Sequence, residues 1–554
     1  MTTITESPPD ADGTGAEASG STIHPQHGGN PLERGVTGML TTTSHRRIGS
    51  MYTCMAVVLG VAVTVVSAIV GFENVDPDSL GLFRGETGLA QSGALGLSGV
   101  SVLVVMPLLV GIGTAVVPLQ VGSPSIAFPR AAAAGFWIWL VGAGAYVGSF
   151  IVDGGFVSGI NVDNRAVALT IAALGVTVAG LLLSMVCIAT TVIALRPAGM
   201  SLRRVPALSY SFLVASVVWL LSMAVLFADL VIAYVILQHT DRDVEALSSI
   251  AWMFTAPQVF AFALPALGII ADIVQVSTQT KQKMYDVLLG GLALFGFLSF
   301  GAFAQSAYDL GTRDVTDELV YILMGLALVL PALVIFGGFA DTLRLGRKGM
   351  KAGAALFGAM AGLLMIMAGV FANALRVLGH WGELGDWNQT GIMDFGVMNY
   401  ALFGAFIAAT AGLIFWAPKI YGRRLNDKLG GLALLVLLIG TVVLALPQII
   451  AGFFETNADF TNVLTLISVI GCVVVIVGIV DVLLILALGI LPRATEMVPD
   501  NPVNGFTLEW ATTSPPPRGN FAAPVPMVMS ATPLLDAVPD EAPQNDDEAV
   551  RENA

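Results

Sequence analysis

Histidine is scarce. The chain of 554 residues holds five, His24, His27, His45, His239 and His380, and none falls inside a long apolar run. A buried imidazole cluster that could hold copper or haem iron in a membrane interior is therefore not encoded. Charge is also scarce: 12% of residues are charged, where a soluble domain carries about 25%. The net charge of −14 comes with no basic patch, so a nucleic-acid partner is excluded. Three cysteines, Cys54, Cys187 and Cys472, lie in apolar runs without any CxxC or CxxCH motif. That excludes a zinc ribbon and c-type haem attachment and leaves small buried hydrophobes. No Walker loop, dinucleotide fingerprint or nucleophile motif is present in a suitable context. The first residues are polar, with no basic segment running into an apolar core, so no cleavable signal peptide is expected.

What is present is apolar length. The chain is 55% hydrophobic with a mean hydropathy of +0.81. Runs able to cross a bilayer recur at roughly 51–72, 93–118, 131–153, 166–195, 207–237, 250–275, 286–304, 319–341, 352–375, 392–417, 430–453 and 464–491. Lipid offers the backbone no hydrogen-bond partner, so these must be helices. The expected class is an all-α polytopic membrane protein with twelve transmembrane helices. Alternating the loops across twelve spans puts twenty of the 25 Lys and Arg residues on one side. The positive-inside rule then places both termini in the cytoplasm. The expected organisation is a disordered tail at 1–36, a membrane domain at 37–495 and a C-terminal segment at 496–554. That last segment is Pro-rich and then acidic, and is expected to be disordered from about 522.

Several segments carry a resemblance. They are LTTTSHRRIG from Leu40, MPLLVGIGTAVVPLQVGSPSIAFPR from Met106, RPAGMSLRRVP from Arg196 and APQVFAFALPALGIIADIV from Ala256. FWAPKIYGRRLNDKLG from Phe415 and NPVNGFTLEWATTSPPPRGNF from Asn501 complete the set. In order, and over residues 37 to about 521, they resemble subunit I of the haem-copper respiratory oxidases, the cytochrome c oxidase subunit I family. The resemblance implies a twelve-helix bundle in a bacterial cell membrane, two haems and one copper, and transfer of electrons to oxygen coupled to proton pumping.

The family's ligand residues are not matched. Its haem-ligand positions fall on Gly96, Val397 and Asn399. Its copper-ligand positions fall on Ala256, Gln305 and Ser306, and its cross-linked tyrosine on Phe260. The proton-path positions fall on Ser125, Gln258 and Ile335. The stretch Gly452 to Asp459, where the family clamps haem propionates, has no arginine. No haem, copper or other metal is expected. Met398 is a conceivable but weak substitute ligand, since methionine more often fills a core. Departure of two haems would leave a void that helices, side chains or a ligand must fill. Gln258, Gln305, Ser306 and Asn399 are candidates for a polar network there.

Asp229 is a candidate buried acid, because ionisable groups inside a membrane are costly unless paired or functional. Asp272 and Asp481 are expected to reach water or cap a neighbour. His239 and His380 are read as surface residues. The close glycine spacings Gly144/Gly148 and Gly358/Gly362 permit tight helix contact. The best-kept segments all fall on the cytoplasmic side, a surface for other oxidase subunits or an assembly partner. The expected role is a non-catalytic respiratory component bound to the lipid bilayer. The alternatives are a divergent terminal oxidase, or a transporter or lipid or quinone binder that uses the emptied haem cavity.

Overall fold

The computed structural model describes residues 36–76, 80–82, 85–156, 163–239, 248–300, 315–347, 350, 352–379, 391–454, 457–490, 498–525 and 527–536. Met1–Thr42 is a unit of its own, whose described part carries the short helix Val36–Leu40. The unit Thr43–Ala554 is a helical membrane bundle.

Eleven helices among the described residues are long and apolar enough to cross a bilayer. With the shorter one in its place they are α1 His45–Glu73, α2 Gln91–Gln120, α3 Pro129–Ile151, α4 Asn164–Ala194, α5 Ala207–His239, α6 Trp252–Thr278, α7 Tyr285–Phe300, α8 Leu319–Leu345, α9 Ala354–Gly379, α10 Ile392–Ile420, α11 Asp427–Ala451 and α12 Ala458–Gly489. The expected span 286–304 is α7, whose described part ends at Phe300. Asn426 starts α11 as a side-chain cap, its Oδ1 accepting from the amides of Lys428 and Leu429. Asp163 caps α4 in the same way.

Three helices form the centre. The most apolar stretches of α2 and α6 are buried throughout, and that of α10 almost so. The other helices each turn one face outward, as the exposed Leu, Val and Phe side chains along them show. In a bilayer those faces meet lipid, and they need no polar partner. The backbone of α2 widens into a π-helical stretch at Val100–Val105, a distortion that often marks functional sites.

Helix pairs close through glycine where no side chain fits. A Cβ on Gly362 of α9 would lie 2.7 Å from the carbonyl oxygen of Gly404 on α10. The pair Gly358/Gly362 thus does mediate contact, whereas Gly144 and Gly148 have nothing within 4 Å. The tightest such approach between α11 and α12 is at Gly471, where a Cβ would lie 2.2 Å from the Leu444 amide nitrogen. Gly471→Leu is expected to cost about 1–3 kcal/mol or more through forced separation of the two helices. Thermal unfolding in detergent measures this, and Gly144→Leu should be near neutral beside it.

The C-terminal segment is part of the bundle. The described residues past 522, the part expected to be disordered, run to Asp536. Val528 is fully buried and its amide donates to the Ala198 carbonyl at 3.0 Å.

Candidate functional site

Polar side chains gather in three places within the bundle. The first is a slot of about 460 Å³ between α1, α2, α10, α11 and α12. Both Gly96 and Asn399 line it, so two of the positions singled out in the sequence come together. Val397 is fully buried but lies outside the slot. Two residues along a helix are separated by about 200°, so Val397 and Asn399 must face opposite ways. The Asn399 Nδ2 donates to Gln448 Oε1 at 2.9 Å. Ser67 and Thr465 turn their hydroxyls back on the carbonyls four residues earlier. Ser468 does not: its buried Oγ has no hydrogen-bond partner among the described residues. Among the described residues, no charged residue and no histidine lines the slot. His45 begins α1 at the opposite end of that helix. It lies roughly 28 Å along the axis from the slot residue Thr64, at about 1.5 Å per residue. Its ring contacts the Thr114 carbonyl at 3.2 Å and Asn520 Oδ1 at 3.0 Å, a structural pin. His239 is exposed at the end of α5, and His380 lies outside the described residues.

The second place is the start of α6. Here the side chains fill space. Ala256 and Phe260 are buried, and Phe260 stacks edge-on against Phe295 of α7 with ring centroids 6.1 Å apart. Arg376, the last basic residue of α9, turns inward. Its Nη2 donates to the Ala256 carbonyl at 3.3 Å and to Asn373 Oδ1 at 3.0 Å, and Nη1 lies 3.2 Å from the Asp394 carboxylate of α10. Gln258 is fully buried, and neither end of its amide has a partner among the described residues. Asn399 pairs with Gln448 and Gln258 with none of the described residues, so these two do not join each other. Gln305 and Ser306 lie outside the described residues.

The third place is at the basic end of the bundle. Gln120 of α2 donates through Nε2 to Asp272 at 2.7 Å and to Glu509 at 3.2 Å, and accepts from Ser209 at 2.7 Å. Trp416 of α10 also donates to Glu509, at 3.2 Å. Asp272 is thus buried and partnered rather than at water, and it also accepts from the backbone of Ala207 and Leu208, so it caps the start of α5, the second of its two expected places. Burial pushes the Glu509 carboxyl above its ordinary range, offset in part by hydrogen bonds from Thr507, Gln120 and Trp416. Beside it, Lys419 donates to the carbonyls of Asp500 and Thr512 at 2.8 and 2.6 Å, and lies 5.2 Å from the Trp510 ring. One knot of side chains thereby fastens the C-terminal segment to three central helices. Sequence reading passed over Gln120 and Glu509. The signal was there in TLEW, an acid beside a tryptophan in a segment that resembled the family.

The remaining candidates are ordinary. Asp229 is half-buried and accepts from the Trp252 indole at 3.1 Å, so it is a paired acid rather than a fully buried one. Ser125 sits half-buried in the turn after α2, its hydroxyl donating to the Ile126 carbonyl at 3.2 Å. Ile335 is fully buried on α8, against Gly291 of α7. Asp481 is half-buried. Among the described residues no group of three His, Cys, Asp or Glu side chains is placed to hold a metal.

Residues 47–483 match the model of the family described as Cytochrome C and Quinol oxidase polypeptide I. The chain belongs to that family. It is 28% identical over 462 residues to a probable cytochrome c oxidase subunit 1-beta of Nocardia farcinica, covering 78% of this chain and 76% of that one. It is 26% identical to a cytochrome c oxidase subunit 1 of Corynebacterium diphtheriae, over 90% and 91% of the two chains. A quinol oxidase subunit 1 of Bacillus subtilis is 24% identical, over 90% and 79%. Among solved structures, a heme-copper terminal oxidase dimer superposes with a TM-score of 0.64 at 12% identity, over 89% of this chain and 88% of that one. The fold, the family and the membrane setting expected from the sequence thus hold: this is an integral membrane protein of the oxidase subunit I type.

Proposed function

We propose that the chain is a subunit I scaffold that has lost haem and copper binding and serves the respiratory chain without reducing oxygen. The observation that carries this reading is the slot. Gly96 and Asn399 line one space, as two axial ligands of a low-spin haem must, and neither carries an imidazole. A haem also brings two propionates, and no cation among the described residues lines the slot to meet them. The residues present do not fit that group. At the start of α6, Phe260 and Arg376 occupy ground beside the former copper position Ala256. A copper ion needs several imidazoles, and Gln305 and Ser306 supply none.

The partner is another oxidase subunit or an assembly component, held at the basic end. The knot around Gln120 and Glu509 supports this, because it keeps the C-terminal segment in one arrangement there. Under the charge bias both termini face the cytoplasm of a bacterial cell.

An absorption spectrum with metal analysis of the purified protein tests the reading. The expected result is no Soret band and no copper at stoichiometric level. A stoichiometric haem spectrum overturns it. Pull-down of the tagged chain from its own membranes is expected to bring oxidase subunits with it.

A further inference from the structure

The slot has a polarity that points to a ligand. Its floor is apolar, formed by Val100, Phe403 and Leu444. Above the floor lies a band of uncharged hydrogen-bonding groups, Asn399, Gln448 and Ser468. Towards the loop end it is lined by Asn74, Ser92 and Asn462.

The band is unsatisfied in a specific way. Asn399 spends its amide nitrogen on Gln448 Oε1, which leaves the Gln448 Nε2 as a donor and the Asn399 Oδ1 as an acceptor. Neither has another partner among the described residues. The Ser468 hydroxyl, on a residue 3% exposed, has none at all. A buried polar atom left so, here the Ser468 Oγ, costs free energy and is rarely kept without a partner, while the Gln448 and Asn399 groups open onto the slot. The volume of about 460 Å³ lies within the range of small-molecule sites, roughly 300–1,000 Å³. With no charged residue among the described ones on its walls, the slot penalises an ionic head and accepts a neutral one.

We propose that the slot binds a neutral single-tailed amphiphile drawn from the membrane. The apolar tail lies on Val100, Phe403 and Leu444, and a carbonyl or hydroxyl head meets Gln448, Asn399 and Ser468. This rests on the reading that haem does not fill the slot.

Two neutral heads and one charged head test it. The full-length protein in lipid nanodiscs is titrated with glycerol monolaurate, decylubiquinone and laurate, and bound ligand is quantified after washing and solvent extraction. One or both neutral probes should bind saturably at one per chain, and laurate at least about tenfold more weakly. Which neutral probe binds tells an acylglycerol from a quinone as the source. Gln448→Leu removes one donor and should weaken the neutral probe about tenfold. Gly96→Phe fills the slot and should abolish binding; if it fails to fold, Asn399→Leu serves as the second variant. Equal binding of laurate, no saturable neutral binding, or unchanged affinity in the variants overturns the proposal. Haem in the purified protein would overturn the earlier reading instead, and a haem-free protein that binds neither neutral probe overturns this one alone.

Discussion

Replacing Arg376 by alanine is expected to destabilise the protein by about 3–5 kcal/mol, the cost of leaving a buried charge without its partner. Arg376 is 7% exposed, and its guanidinium touches four groups from three helices besides its own. These are the Asp394 carboxylate at 3.2 Å, the Ala256 carbonyl at 3.3 Å and the Tyr321 hydroxyl at 3.5 Å, with Asn373 on its own helix at 3.0 Å. The Asp394 contact is close without being a well-aligned hydrogen bond, so the attraction there is mainly ionic. Truncation removes the cation that faces the half-buried Asp394 carboxylate and the donors to Ala256 and Asn373. The double variant Arg376→Met with Asp394→Leu is expected to recover much of the loss, because an apolar pair carries no desolvation cost. Thermal unfolding in detergent reads both. Unchanged midpoints in Arg376→Ala would show that the cation does not organise the start of α6.

That arginine also shows where sequence reading stops. The spans were legible because a bilayer accepts little besides apolar helices, and α2 could be expected inside since Gln91–Gln120 contains no charged residue. Arg376 looked like a loop residue, one of five basic residues on the less basic side. A long side chain at a helix end can reach outward to water or turn in. Asp394, eighteen residues later on another helix, decides which. Long-range pairing hid the other sites as well. Glu509 sits in a polar segment, and its burial depends on Gln120, a residue 389 positions away. The absence of imidazole at Gly96 and Asn399 could be read directly. That the space between them stays open, while the start of α6 is packed by Phe260 and Phe295, depends on side-chain volumes from five helices. No local pattern encodes that.

Glu509→Ala is expected to release the C-terminal segment. It strands the Trp416 indole N–H, at about 1–3 kcal/mol for a buried group left unpaired, and leaves the Gln120 Nε2 with Asp272 alone. The wild-type contact should depend on pH. Burial raises the Glu509 carboxyl in the folded state, so folding favours the protonated form. Its contribution is then complete below the carboxyl's unfolded value and is lost as pH rises through the raised folded one. Limited proteolysis of residues 498–536 across pH measures this: cleavage should quicken as pH rises. Glu509→Gln keeps an oxygen for the Trp416 and Gln120 donors and cannot ionise. It should hold the segment in place and flatten the pH dependence, whereas an unaltered profile in that variant would move the titration to Asp272. The two acids lie against one amide, and ionising both in that space sets like charges side by side. Keeping at least one of the two neutral is therefore expected to hold α2, α6, α10 and the C-terminal segment together.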